Sequence, residues 1–357
     1  MAVFFNTMFM NSGLASIINI VQEFTITITA GNLGDTYTLP TSVDTTKCGI
    51  MWSGQTSNTI TSGTMARAKV RVTLTNGTTV TAARGTTTDD VVVYGSVIEF
   101  KSAACVSAQN GFIALGSGVT SNTATISSVS TSNAFVLYGG LNTTSTGNTM
   151  TRVYSSLDLT NATTVTATRN NGTSSTTNVS YCVVELTPGI IKSVQKIAAT
   201  QATSGTTLDA TISAVTTANT AVFWNGMTTA LGTGDSESST YYYDLTSTTN
   251  VRFTRVGTNT TTRTLYATAV EFNPGYVKYR ATGLPAFTAS DTQIDTSITA
   301  VNLSKSILNY RGNAPTTLLA PEAGFTGVAT TSTTNVRAYR NTASGAVTAS
   351  FELLEFN

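Results

Sequence analysis

Two ionisable residues recur through the chain at a nearly constant interval. Arg84, Arg169, Arg255 and Arg340 are separated by 85, 86 and 85 residues, and Glu99, Glu185, Glu271 and Glu355 by 86, 86 and 84. A guanidinium and a carboxylate in register invite an ion-pair reading, but a hairpin keeps them apart. Arg169 closes a strand before the turn of residues 170–177, whereas Glu185 ends the return strand, some ~20 Å further along at ~3.3 Å per residue. The spacing therefore predicts that each Glu contacts the Arg or a backbone N–H of another copy. Four equivalent sites suit a structural use better than catalysis.

A third recurrence is aromatic. Trp52, Tyr138, Trp224 and Tyr310 are 86 residues apart, and each precedes a glycine by two positions: Gly54, Gly140, Gly226 and Gly312. Such rings could stack on sugars if exposed; their presence in every copy is read as core packing at a strand end. Val43, Val129, Val215 and Val301 keep the same spacing.

The rest of the composition excludes more than it suggests. The chain has no histidine, so a Ser-His-Asp triad, a Cys-His pair and an imidazole base are ruled out. Charged residues are only 10%, net charge is +1, and 75 of the 357 residues are threonine. No basic run offers a nucleic-acid or anionic-membrane footprint, and no apolar run approaches the ~20 residues of a membrane span. Carboxylates that could pair for hydrolysis are few: Asp89 with Asp90, Asp235 with Glu237, and Glu322, all read as solvated loop acids. Cys48, Cys105 and Cys182 cannot all pair within one chain; they are read as buried thiols, with an inter-subunit disulfide as the alternative. No catalytic, cofactor-binding or metal-ligating residue is assigned, and no cofactor is expected.

These recurrences need a repeated scaffold. The segmentation is an arm over residues 1–19, then β modules over 20–104, 105–188, 189–274 and 275–357. In the third copy strands are expected at 190–200, 241–245, 251–255 and 264–272, with short apolar runs at 211–215 and 221–224 and a loop over 225–239. No apolar stripe of helical period is long enough for a core helix. The fold class is all-β: four tandem antiparallel β-sandwich-like modules of about 86 residues behind a short N-terminal arm, with a four-bladed propeller as runner-up. Short junctions near Ser102, Pro188 and Pro274 predict a stiff rod or compact stack. The departures of the first copy (Pro40, Cys48) and the fourth (Arg311 and two loop prolines) are read as stack ends. The arm, with Val3, Phe4, Phe5, Phe9, Leu14, Ile17 and Ile18, is read as a docking segment.

The pattern Ile212-x-x-Val215 … Val222-x-Trp224-x-Gly226, with Val183-Val184-Glu185-Leu186, resembles repeats in structural proteins of tailed bacteriophages. That resemblance implies a non-enzymatic component of the virion exterior, either a tail or baseplate appendage or a capsid decoration. The implied partners are other virion proteins and further copies of the chain, a trimer by analogy with virion appendages. The alternative is an adhesin that binds a host surface glycan or protein through the loops Gln55–Met65, Leu141–Met150, Met227–Ser239 and Asn313–Gly324, which differ in every copy.

Overall fold

Threonine and β-branched residues favour a pleated surface with one wet face, and short alternating stretches show the consequence. In the strands Thr79–Arg84 and Thr164–Thr168, Val80, Ala82, Val165 and Ala167 point inward while the threonines point out. The computed structural model describes residues 16–58, 65–147, 149–202, 204–230, 240–256, 261–315, 325–343 and 345–357. Among them there is no α-helix, and the chain is all-β.

The strands fall into four successive sets. The first is β1 (Ile18–Ile28), β2 (Gly34–Thr38), β3 (Cys48–Ser57), β4 (Val70–Asn76), β5 (Thr79–Arg84) and β6 (Val91–Phe100). The second is β7 (Cys105–Leu115), β8 (Ser121–Thr125), β9 (Ala134–Thr143), β10 (Ser156–Asn161), β11 (Thr164–Thr168) and β12 (Thr177–Leu186). The third is β13 (Ile191–Gln201), β14 (Thr207–Thr211), β15 (Thr220–Thr229), β16 (Tyr242–Ser247), β17 (Asn250–Thr254) and β18 (Arg263–Phe272). The last is β19 (Val277–Gly283), the short β20 (Ala286–Phe287), β21 (Gln293–Ser297), β22 (Ser306–Pro315), β23 (Gly327–Ser332), β24 (Asn335–Tyr339) and β25 (Val347–Phe356).

Each set makes two three-stranded antiparallel layers, for example β1-β6-β3 and β2-β5-β4, and neither layer stands alone. Every sheet joins one layer from each of two sets: β1-β6-β3-β23-β24-β21, β7-β12-β9-β4-β5-β2, β13-β18-β15-β10-β11-β8 and β19-β25-β22-β16-β17-β14. The junctions run β4 to β9, β10 to β15, β16 to β22, and finally β23 back to β3. That last junction returns to the first set, so the four sets close into a ring. The rod or stack expected from the short junctions is not formed. Arg311, expected to mark an end, instead crosses a junction to Asp244 at 2.5 Å.

Ring closure explains which strands lose all exposure. The junction strands β3, β9, β15 and β22 surround the axis and bury nearly every residue on both faces, one toward their own sandwich and one toward the centre. Inter-set contacts such as the stacked pair Phe135–Phe223, 5.2 Å apart, join the first two sandwich interiors and the central faces of the other two sets, whose own interiors form separate clusters.

Local expectations for the third set need two corrections. Residues 212–215 are not a strand; the edge strand is β14, just before them. β15 also does not end at Trp224: it continues to Thr229 through a bulge between Trp224 and Met227. At the N-terminus, Ile18 pairs with Phe100 and Ile17 accepts from the Lys101 amide, and both isoleucines are buried. They belong to the first sandwich rather than to an arm; Val3, Phe4, Phe5, Phe9 and Leu14 lie outside the described residues.

The bulge explains the recurrent glycine. Gly54, Gly140, Gly226 and Gly312 have φ of +100°, +80°, +92° and +85°. Each is also the residue at which the neighbouring set pairs, opposite Gly327, Arg71, Ser156 and Tyr242 respectively. A Cβ on Gly226 would lie 2.1 Å from the Ser155 carbonyl oxygen. Gly189 has the same φ of +92° but nothing within 4 Å. Gly189→Ala should therefore cost only the left-handed strain of ~1–2 kcal/mol, and Gly226→Ala clearly more, upward of ~3 kcal/mol, because the strand junction must also part. Chemical denaturation of both variants checks the difference, and equal losses would contradict the junction role.

Candidate functional site

The four recurrent glutamates are buried where their strands end. In each set one carboxylate oxygen accepts from the amide that follows the repeated valine: Asp44 to Glu99, Ser130 to Glu185, Thr216 to Glu271 and Asn302 to Glu355, at 2.7, 2.7, 2.8 and 3.2 Å. The partner is a backbone N–H, as one of the two expected options had it, but it belongs to the same set rather than to another. The reason is local. The chain turns back after the valine over the end of its own last strand, and that amide has no strand partner. Lys192 and Lys278 add ion pairs of 2.9 and 2.7 Å to Glu271 and Glu355. Burial alone would raise the Glu271 pKa, yet the bonds from Lys192 and Thr216 bring it below the ordinary carboxylate value.

The recurrent arginines lie at the opposite end of each sandwich, and none of them pairs with a recurrent glutamate. Each is almost wholly buried and ties loop carbonyls together. Arg169 is the fullest case. Its Nε donates to Val119, Nη1 to Arg152, and Nη2 to Leu115, Gly116 and Ser175, all carbonyl oxygens within 2.8–3.0 Å. Arg84 binds the carbonyls of Asn32, Asp89 and Thr29, and Arg340 those of Asp291, Gly345 and Thr288. Arg255 donates to the Gly205 carbonyl at 3.0 Å. A planar five-donor fork suits this task as no other side chain does.

A further recurrence had escaped the sequence reading. Gln22, Gln109 and Gln195 each exchange two hydrogen bonds with one backbone residue, Thr41, Ser127 and Ser213, whereas Ala281 stands at the corresponding place in the last set. The signal was present as intervals of 87 and 86 residues, but glutamine in a threonine-rich chain draws no attention.

The aromatic residues meet at the ring axis. Trp52 packs edge-on against Tyr138 at 6.2 Å and Tyr310 at 5.4 Å, so rings from three sets touch. Trp224 stacks on Tyr243 at 5.8 Å. Burial pushes the phenols of Tyr138 and Tyr310 well above the ordinary tyrosine range. Beside this cluster is a cavity of about 90 Å³ whose walls include Trp52, Trp224, Tyr310 and Phe325. The Lys69 ammonium enters it, 4.7 Å from the centre of the Tyr154 ring and 4.9 Å from that of Phe325. The expectation of core packing holds for Tyr138 and Tyr310, which are buried, while Trp52 and Trp224 are only partly so.

The other candidates separate from this site. Asp90 accepts from the Ala30 amide and the Asn58 side chain, which ties two loops together. Asp235, Glu237 and Glu322 lie outside the described residues, as do parts of the four variable loops. All three cysteines are free and buried, and burial first of all pushes the Cys105 and Cys182 thiols to about 11 and 12. Among the described residues no three His, Cys, Asp or Glu side chains are grouped to hold a metal.

Two outcomes follow from these ties. Arg169→Met keeps the stem and removes the donors, leaving several buried carbonyls unpaired. It should lower unfolding free energy by on the order of 4 kcal/mol in denaturant titration. The second concerns the junction that closes the ring, where Glu23 accepts from the Thr330 amide at 3.0 Å. Burial lifts its pKa from 4.5 to about 7, against the lowering effect of that bond. The folded chain thus binds one more proton than the unfolded chain between about pH 4.5 and 7. Stability is greatest below that window and falls by ~3 kcal/mol as pH rises through it. Asp209 and Asp295, held near 2 by hydrogen bonds from Arg252 and Arg337, act in the opposite sense only in more acid solution. Melting of Glu23→Gln against pH should lose the slope, and an unchanged slope would refute the assignment.

Compared with protein-family models, curated proteins and solved structures, the chain finds no match, so its geometry is the ground for any functional reading.

Proposed function

We propose that this chain is a non-enzymatic structural component of the exterior of a tailed-phage virion, a tail or baseplate appendage or a capsid decoration, which assembles as a homo-oligomer. The observation that carries this reading is the use made of the recurrent chemistry. The buried Arg and Glu residues hold backbone groups, and the ring leaves each set no free junction strand. Groups held this firmly suit a durable building block better than a site that must exchange protons with a substrate. The threonine-rich, nearly neutral surface fits a part that holds no nucleic acid.

The experiment is one of position. Antibody raised against the purified chain should label the outside of intact particles under negative stain. In solution the chain should have a mass of at least twice 37.2 kDa. A free monomer that turns over a polysaccharide would overturn the proposal. An adhesin that recognises a host glycan remains the second reading, favoured by the aromatic cavity at the axis.

A further inference from the structure

The residues opposite the four junction glycines differ, and at three of those places an aromatic ring is present. Tyr94 lies against Gly327, in the space a Cβ would take, and stacks on Tyr339 at 5.0 Å. Phe112 covers Arg71, with its ring centre 4.1 Å from the guanidinium. Tyr242 is itself aromatic. Opposite Gly226 stands Ser156, and there a groove of about 420 Å³ separates the outer faces of the second and third sets. Tyr266 lines it from the place that Tyr94 holds in the first set, the fourth residue of the last strand. No ring is stacked on Tyr266 among the described residues. The reason is one substitution between repeats: Thr168, the strand partner of Ser156, stands where Tyr339, the partner of Gly327, supplies the second ring.

The polar groups of the groove say what kind of ring would take that place. Asp158 and Lys196 pair at 2.9 Å on its wall, both half-exposed, and Lys196 also donates to the Leu159 carbonyl. That leaves one Asp158 oxygen and one ammonium proton open to the groove. Ser156 is only 4% exposed, lines the groove, and its hydroxyl has no hydrogen-bond partner among the described residues. The Thr160 and Thr166 hydroxyls, by contrast, already bond each other. An acceptor and a donor side by side suit two adjacent hydroxyls of one ligand, the first donating to Asp158 and the second accepting from Lys196. The pair carries no net charge, so the ligand needs none. The bare ring of Tyr266 suits a C–H face, and the volume lies within the ~300–1,000 Å³ of small-ligand clefts. We infer that this groove binds a neutral hexopyranose unit of a glycan, with the sugar ring on Tyr266 and two neighbouring hydroxyls on Asp158 and Lys196. The site exists only across the junction, because Tyr266 and Lys196 come from the third set and Ser156 and Asp158 from the second. It goes beyond the structural role proposed above and does not depend on the chain being a virion part.

Saturation-transfer NMR on the purified full chain provides the readout, with the methyl glycosides of glucose, mannose and galactose and with phenol as probes. At least one glycoside should receive saturation from the protein and titrate to a plateau, and phenol, which has a ring but no adjacent hydroxyls, should bind more weakly. Tyr266→Ala should weaken that glycoside about tenfold, the scale of a lost ring contact, and Tyr266→Phe, which keeps the ring face, should retain its binding. Asp158→Asn should weaken it by a similar factor through the loss of a charge-assisted hydrogen bond. Thr168→Tyr copies Tyr339, places a second ring on Tyr266, and should abolish binding. Saturation of none of the three glycosides, phenol binding as tightly as the best of them, or unchanged glycoside binding in either Tyr266→Ala or Thr168→Tyr would overturn the assignment. None of these outcomes bears on where the chain sits on a particle, so this inference and the proposed function fail separately.

Discussion

Everything in this molecule depends on a backbone approach at four glycines. At each, a strand bulges, φ turns positive, and the next set of strands comes close enough to pair. A bulge adds a residue to one strand and bends it. Here the bulge brings the glycine itself against the neighbouring set, while the residues on either side stay paired with the last strand of their own set. Every set pairs with the next in this way, and the fourth set pairs with the first. A side chain at any of these positions would meet a carbonyl oxygen at 2.0–2.4 Å.

The closed ring also settles a problem common to open sheets, the unpaired edge. The three-stranded layer β2-β5-β4, left to itself, would expose the N–H and C=O groups of β4. Pairing with β9 engages that edge at Arg71 and Gly140, and a single pair does the same at each of the other three junctions. Polar contacts then specify the neighbour: Asn225 donates to the Val136 carbonyl, Asn309 to that of Val222, and Ser53 to that of Leu308. These differ from junction to junction, as do Lys196 with Asp158 and Arg311 with Asp244. Shared geometry makes the ring possible, and unlike side chains determine which strand sits against which.

The axis is where this architecture and chemistry converge. Residues that serve as ordinary core in a single sandwich become, in the ring, the wall of a shared cavity. A lysine at the start of β4 has no reason in its own set to seek aromatic company; it finds Tyr154 and Phe325 because the second and fourth sets flank the first. Likewise Glu23 is an unremarkable strand residue in sequence, and only the closing junction brings its carboxylate to the Thr330 amide and half-buries it.

The sequence alone determined the strand-forming character, the interval of the repeat, the absence of imidazole chemistry, and the identity of the residues that would be buried in every copy. Those properties are local or additive: alternation of Thr with Val and Ala fits a pleat, and an 86-residue period survives as a list of positions. Tertiary structure decided the partners. Whether Glu271 meets an arginine or an amide depends on which loop folds over the strand end. Whether Trp224 ends a strand or continues it depends on a bulge whose benefit lies in the neighbouring set. Closure itself was not legible, because it rests on Gly54, Gly140, Gly226 and Gly312 each meeting a strand of another set, and no single segment carries those pairings.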